Sequence, residues 1–140
     1  EPNEREKASF LSENILPLVT TGVTKFIATE INDFHFDDAI SLRFVNGHTR
    51  AMMLPMVHRV GQADLIYCAD LLPSTAHLGL PYVMAYDIEP LITIEEKKRL
   101  LEDASQYGHH LFLEHDAYHS CVSILKNEKG KFVATDVTLD

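Results

Sequence analysis

Leu65-Ile66-Tyr67-Cys68-Ala69-Asp70-Leu71-Leu72-Pro73-Ser74 is a short apolar run that ends on a carboxylate and then on a proline. Such a run, bounded by turn residues, predicts a strand, here Asp64–Cys68. Two other runs end in a similar way. Ile40–Val45 gives out into Asn46-Gly47 and then His48, and Leu111-Phe112-Leu113 gives out into Glu114 and His115. Strand ends at one edge of a sheet converge, and loops there hold polar groups on a rigid scaffold. Two imidazoles and a carboxylate so placed suit zinc, and also manganese or iron. Taken singly, each has an ordinary reading. A histidine after a glycine is a turn residue, and an aspartate closing a strand is a cap. Their shared position at strand ends is what singles them out.

The flanking sequence predicts the rest of the scaffold. Glu4–Leu16 is rich in helix formers, offers Phe10, Ile15 and Leu18 to a core, and should end at Pro17, which has no backbone N–H. Lys25–Glu30 and Ala51–Val57 add strands to Ile40–Val45, with Asn46-Gly47 and Gly61-Gln62 between them. Leu71 to Pro90 contains Pro73, Pro81 and Pro90 and predicts a long loop. Thr93-Ile94-Glu95-Glu96 has the pattern of a capping box opening a helix. Ile94, Leu100, Leu101, Ala104 and Tyr107 would form its apolar face, and Gly108 would stop it. Cys121–Leu125 and Lys131–Val137 form a hairpin across Asn127-Glu128-Lys129-Gly130. The order predicts an α/β or α+β fold with a largely antiparallel mixed sheet and flanking helices. One domain is expected over 1–140, with 1–20 as a linker helix and 21–140 carrying the sheet and the ligand loops.

Composition narrows the function. With 140 residues and 46% apolar content the chain can bury a real core. No run reaches the roughly 18 apolar residues that span a bilayer, and no basic-then-apolar leader opens it, so a cytoplasmic location without membrane contact is expected. Glu1 stands where Met would start a chain, which suggests a processed product or a fragment. Acidic residues outnumber basic ones, 21 to 12, for a net charge of −9, which argues against nucleic-acid binding. Carboxylates in such surplus serve solubility or gather where cations bind, and eight histidines favour metal. Cys68 and Cys121 lie in apolar runs and predict buried reduced thiols rather than a disulfide framework.

Asn46-Gly47-His48-Thr49 is similar to the Gly-His-Thr turn of metallo-β-lactamase-fold hydrolases. Leu65 to Ser74 resembles the strand that ends in that family's Gly-Asp-Leu-x-Pro, and Leu111-Phe112-Leu113-Glu114-His115-Asp116 resembles its final strand and His-Asp. The ligand positions follow the family's order, the resemblance covers roughly the last hundred residues, and the stretch from Ala8-Ser9-Phe10-Leu11 onward resembles the linker helix of some members. The resemblance implies half of an αββα sandwich. It implies two zinc ions in the complete enzyme, manganese or iron being the other metals considered, with His48 on the first, His115 on the second and Asp70 bridging them. A metal-bound hydroxide would then cleave a small ester, lactone, amide or phosphoester, and Asp70 would be the catalytic carboxylate. His77, Tyr82 and Asp116 would contact substrate or orient ligands, although His77 also reads as an ordinary loop histidine, and Tyr82 and Tyr86 as pins for the long loop.

The chain departs from the family in three places. The signature His-x-His-x-Asp-His is absent; its nearest string, His35-Phe36-Asp37-Asp38, lacks the later histidines. Arg50-Ala51-Met52 stands where Pro-Gly-His is usual, and Ala69 where glycine is usual. This half alone should therefore be nearly inactive and hold at most one metal. Its expected partners are a small-molecule substrate and either the missing N-terminal half or a second copy, meeting on a bare sheet face that includes Met52, Leu54, Leu65, Tyr67 and Phe112. The alternative is a non-catalytic interaction domain or pseudo-enzyme that pairs through that face. A protease-like reading of His115-Asp116-Ala117-Tyr118-His119 needs a helix, and the flanking residues read as strands. His109-His110, after the helix stop, reads as structural.

Overall fold

The computed structural model of the protein describes residues 2–29 and 33–139. The chain divides into two units, Glu1–Glu30 and Ile31–Asp140. The first holds helix α1, Ser12–Thr20, which has no buried residue. Pro17 does not end this helix as the sequence suggested; it sits inside it. Its fixed φ suits a helix, and the lost backbone bond falls in a helix of nine residues, where few such bonds exist. Beyond it, Thr20 and Thr21 donate their hydroxyls back to Leu16 O and Pro17 O at 2.9 and 2.7 Å, closing the end of the helix. The strand expected over Lys25–Glu30 is not formed at 25–29, and Glu30 lies outside the described residues.

The second unit is a seven-stranded sheet, β1 (Asp33–His35), β2 (Ile40–Val45), β3 (Met52–Val57), β4 (Leu65–Tyr67), β5 (His110–Phe112), β6 (Cys121–Lys126) and β7 (Phe132–Asp136), in spatial order 1 to 7. Every neighbouring pair is antiparallel except β4 and β5. That parallel pair needs a crossover. It is supplied by two short 3₁₀ turns, a loop and helix α2, Pro90–Tyr107. The chain direction reverses twice between β2 and β4 and not at all between β4 and β5. The C-terminal ends of β2, β4 and β5 therefore lie on one edge of the sheet.

Register sorts the side chains onto two faces. Met56, Ile66, Leu111 and Val122 are cross-strand partners in succession, and Leu54 shares their side. Leu54, Ile66, Leu111 and Val122 are buried against Leu100, Leu101 and Ala104 of α2, in one core with Leu71, Leu72 and Leu113. The other face carries Leu42, Phe44, Met53, Val57, Leu65, Tyr67, Phe112 and Leu125. Tyr67 and Phe112 stack there at 5.8 Å. Met52 and Leu54 were expected on this second face with Leu65, Tyr67 and Phe112. The register puts them on the helix-covered face instead, because the period of two separates them. Cys68 and Cys121 are free and buried, and burial raises both thiol pKa values, that of Cys68 further raised by Cys121.

Helix α2 starts three residues before the predicted capping box. Pro90 occupies its first turn, where a missing N–H costs nothing, and Gly108 caps the other end at φ 74°. Of the predicted apolar face, Leu100, Leu101 and Ala104 are buried, while Tyr107 points out. Thr93, Glu96 and Lys97 take the remaining buried positions. No helix among the described residues is long and apolar enough to cross a membrane.

Candidate metal centre

The first ligand loop is fixed by α2. The Glu96 carboxylate, buried, accepts the backbone N–H groups of Asn46 and Gly47 at 2.8 and 3.0 Å. The segment before the helix adds two bonds, Glu89 N to Gly47 O at 2.8 Å and Ile88 N to His48 O at 3.2 Å. Gly47 lies so close to the helix that a Cβ there would sit 2.3 Å from Thr93 N and 2.4 Å from its hydroxyl. Only glycine lets the turn approach this far. His48 then projects between two carboxylates. Its Nδ1 is 2.8 Å from Asp87 Oδ1, and its Nε2 is 3.3 Å from Asp70 Oδ2.

Asp70 leaves β4 through a left-handed residue. Ala69 has φ 44°, the conformation glycine adopts freely and alanine resists. On the neighbouring strand the chain continues from Leu113 into a turn, so Glu114 and His115 need not point to opposite sides as strand residues would. His115 N donates to Pro73 O at 3.2 Å, tying the two loops together. His115 Nε2 lies 3.2 Å from Asp70 Oδ1 and 3.1 Å from Glu114 Oε1. His48, Asp70 and His115 are thus brought together as predicted. One oxygen of Asp70 faces each imidazole.

This donor set suits a divalent cation. Asp70, Glu114 and His115 each bring one ligand atom within 4.8 Å of the others. A buried carboxylate on His48 Nδ1 favours a proton there, the tautomer in which Nε2 offers its lone pair to a metal.

No protein-family model matches the chain, and no curated protein matches it. Solved structures do. One is a hydrolase, AbOPH, described as in the beta lactamase superfamily, with a TM-score of 0.77 over 99% of this chain and 48% of that one, at 13% identity. This is part of the metallo-β-lactamase fold. AidC, a dizinc quorum-quenching lactonase in complex with a product, gives a TM-score of 0.70 over 91% of this chain and 42% of that one, at 18% identity. A probable metal-dependent hydrolase from Staphylococcus aureus gives 0.63 over 77% and 39%, at 21% identity. The chain spans less than half the length of each of these.

Three residues of this site carry no signal of that role in the sequence. Glu96 was assigned to a capping box, yet it caps the His48 turn in space rather than its own helix. Thr93, its supposed partner, donates to Glu89 O at 3.4 Å. Nothing in the sequence distinguishes Asp87 within its proline-containing loop. Its other oxygen, Oδ2, is buried without a hydrogen-bond partner among the described residues. Glu114 stands beside a ligand position with no motif of its own. Only its place after a strand end could have drawn notice.

The remaining candidates have contacts of their own. His77 pairs its Nδ1 with Ser74 Oγ at 2.8 Å, and burial lowers its pKa, helped by Lys97. The Tyr82 ring lies over Gly79 and is largely exposed. Asp116 accepts Thr75 Oγ1 at 2.7 Å, Thr75 N at 2.8 Å, and the N–H groups of Tyr118 and His119 at 3.0 Å. The Thr75 bonds foremost hold its carboxyl well below the usual range. It therefore ties the turn after β5 to the loop after β4. His119 turns to Asp136 at 2.7 Å, so the His-x-x-x-His string forms no helical pair. His110 accepts from Arg59 at 2.9 Å, which fits a structural role. Lys97, fully buried, donates to the carbonyls of His77, Gly79 and Tyr82 and pins the long loop, while burial pulls its pKa down to about 8.

Proposed function

We propose that the chain is the part of a metal-dependent hydrolase that carries His48, Asp70 and His115, acting on a small ester, lactone, amide or phosphoester. One observation carries this reading. Asp70 directs its two oxygens to two separate imidazole nitrogens, at 3.3 and 3.2 Å, the disposition of a carboxylate shared between two cation positions. His48 and Asp70 would hold one ion, and His115 and Asp70 the second. Zinc suits these donors, with manganese or iron as alternatives. When bound, the ions lower the pKa of water and polarise a carbonyl or phosphoryl oxygen. The chain's own part is positional. Asp87 holds the Nδ1 proton of His48, Glu96 fixes the turn that carries it, and Pro73 O fixes the backbone of His115.

Each cation position has two protein donors here from the predicted three, and zinc normally takes at least three. The missing donors would come from a second polypeptide segment with a His-x-His-x-Asp-His motif, packed on the sheet face opposite α2. The test is a panel of lactones, carboxylic esters, amides and phosphoesters, given to the complex of this chain with such a segment. Turnover in one class, lost to chelator and reduced about 100-fold or more by Asp70→Asn, is expected. Turnover indifferent to both would contradict the proposal.

A further inference from the structure

Resting on the metal site proposed above, we infer that Glu114 is itself a ligand, and that Asp70, Glu114 and His115 together hold one divalent cation without any second segment. The family resemblance assigns no role to Glu114, and the observation that does is local. Two carboxylate oxygens, Asp70 Oδ1 and Glu114 Oε1, close on the same nitrogen, His115 Nε2, at 3.2 and 3.1 Å. An imidazole nitrogen carries at most one proton and so satisfies one such oxygen well. With the lone pair of that nitrogen turned toward them, the two carboxylate oxygens complete a set of three donor atoms that a cation between them would satisfy. All three ligand atoms lie within 4.8 Å of each other, a separation that one ion bridges at ordinary metal–ligand distances.

The backbone explains why adjacent residues can share a target. β5 ends at Phe112, and Glu114 and His115 lie in a turn rather than in the strand. A strand would have sent the two side chains to opposite faces. Asp116, just beyond, keeps that turn in place through its four hydrogen bonds to Thr75, Tyr118 and His119. The Glu114 side chain is about as enclosed as that of Asp70, at 28% exposure each. Three donors meet the minimum for zinc and leave the remaining positions open. On the His48 side the additional carboxylate, Asp87, meets Nδ1 rather than Nε2, and no third donor joins His48 and Asp70 among the described residues. One tight ion per chain follows, at the Asp70–Glu114–His115 position.

The experiment is a titration of the purified 140-residue chain with cobalt(II), read by its visible ligand-field bands, and with zinc in competition with a chromophoric chelator. Wild type should take up one equivalent. Glu114→Gln, which keeps shape and hydrogen bonding but loses the charge, should weaken affinity about ten-fold or more and change the cobalt bands. Glu95→Gln, on the exposed side of α2, should match wild type. Circular dichroism checks that each variant is folded. If wild type binds one ion and Glu114→Gln binds it equally well with the same spectrum, Glu114 is not a ligand, while the proposed metal site stands. If wild type binds none, or Asp70→Asn and His115→Ala bind as wild type does, the proposed site falls and this inference with it.

Discussion

At the scale of single residues, Ala69 and Asp87 show what the site demands. Ala69 sits at φ 44°, directly before Asp70, where alanine's Cβ crowds the backbone. Ala69→Gly should raise stability by about 0.5–1 kcal/mol, the steric relief exceeding glycine's greater unfolded entropy. A urea midpoint above wild type, with metal stoichiometry unchanged, is the expected result. The sequence flagged this position because glycine is usual there, and the left-handed turn supplies the physical reason. Asp87 was invisible by comparison. A carboxylate in a loop with three nearby prolines has no periodic signal, and only the folded chain shows it on His48 Nδ1. Asp87→Asn keeps the shape and loses the charge that holds the tautomer. Metal affinity at the His48 position should fall about 10- to 100-fold, measured by chelator competition on a complex that carries both cation positions. Undiminished affinity would show that His48 needs no such partner.

At the scale of elements, the His48 turn and the start of α2 behave as one piece. Glu96→Gln presents a single oxygen to two backbone N–H groups and should cost about 1–3 kcal/mol. Gly47→Ala drives a Cβ into the Thr93 backbone, and a cost of about 1–3 kcal/mol is expected from overpacking, with His48 displaced. Denaturant melts of both variants check these values. The helix was legible from Leu100, Leu101, Ala104 and Gly108. Its start was not, because Thr93-Ile94-Glu95-Glu96 satisfies a local capping rule, yet the Thr93 hydroxyl turns back to Glu89 O and the Glu96 carboxylate is spent on the His48 turn. Pro17 failed in the same way, a general rule about proline overridden where the helix is short.

The turn after β5 depends on Asp116 in a pH-dependent manner. Its folded pKa lies below the unfolded value of roughly 4, so the unfolded chain binds more protons as pH falls. The stability it contributes is complete above that value and is lost as pH falls from there toward the lower folded value. Wild type should therefore lose stability between about pH 4 and pH 2 more steeply than Asp116→Asn does. Acid unfolding followed by circular dichroism makes the comparison, and equal slopes would show that its bonds to Thr75 do not matter for stability.

At the scale of the whole molecule, the sheet was legible from short runs, because each ends on glycine, proline or a polar turn. β2 and the hairpin of β6 and β7 fall close to where they were expected. Face assignment failed for Met52 and Leu54, since parity can be read only once the register is known. α2 is the only α-helix of the Ile31–Asp140 unit among the described residues, and it packs on one face. The opposite face leaves Met53 49% and Leu125 56% exposed, with Val57 and Val133 also exposed. Leaving several hundred Å² of apolar surface wet forgoes on the order of 10 kcal/mol. The chain should accordingly associate with a complementary segment or with a second copy through this face. Sedimentation should show a species heavier than 15.8 kDa, and Leu125→Glu should shift it toward monomer. A wild-type monomer at high concentration would contradict this.

Whether His48 and His115 bind a cation through the nitrogens that face Asp70 is tested most directly by their imidazole spectra. Long-range ¹H–¹⁵N correlations of the eight histidines, recorded as zinc is added to a complex carrying both cation positions, report each ring nitrogen separately. The Nε2 signals of His48 and His115 should both move to metal-bound shifts, with the Nδ1 proton of His48 retained on the bond to Asp87. Zinc shifts confined to His58, His77 or His109, or none at all, would contradict the account.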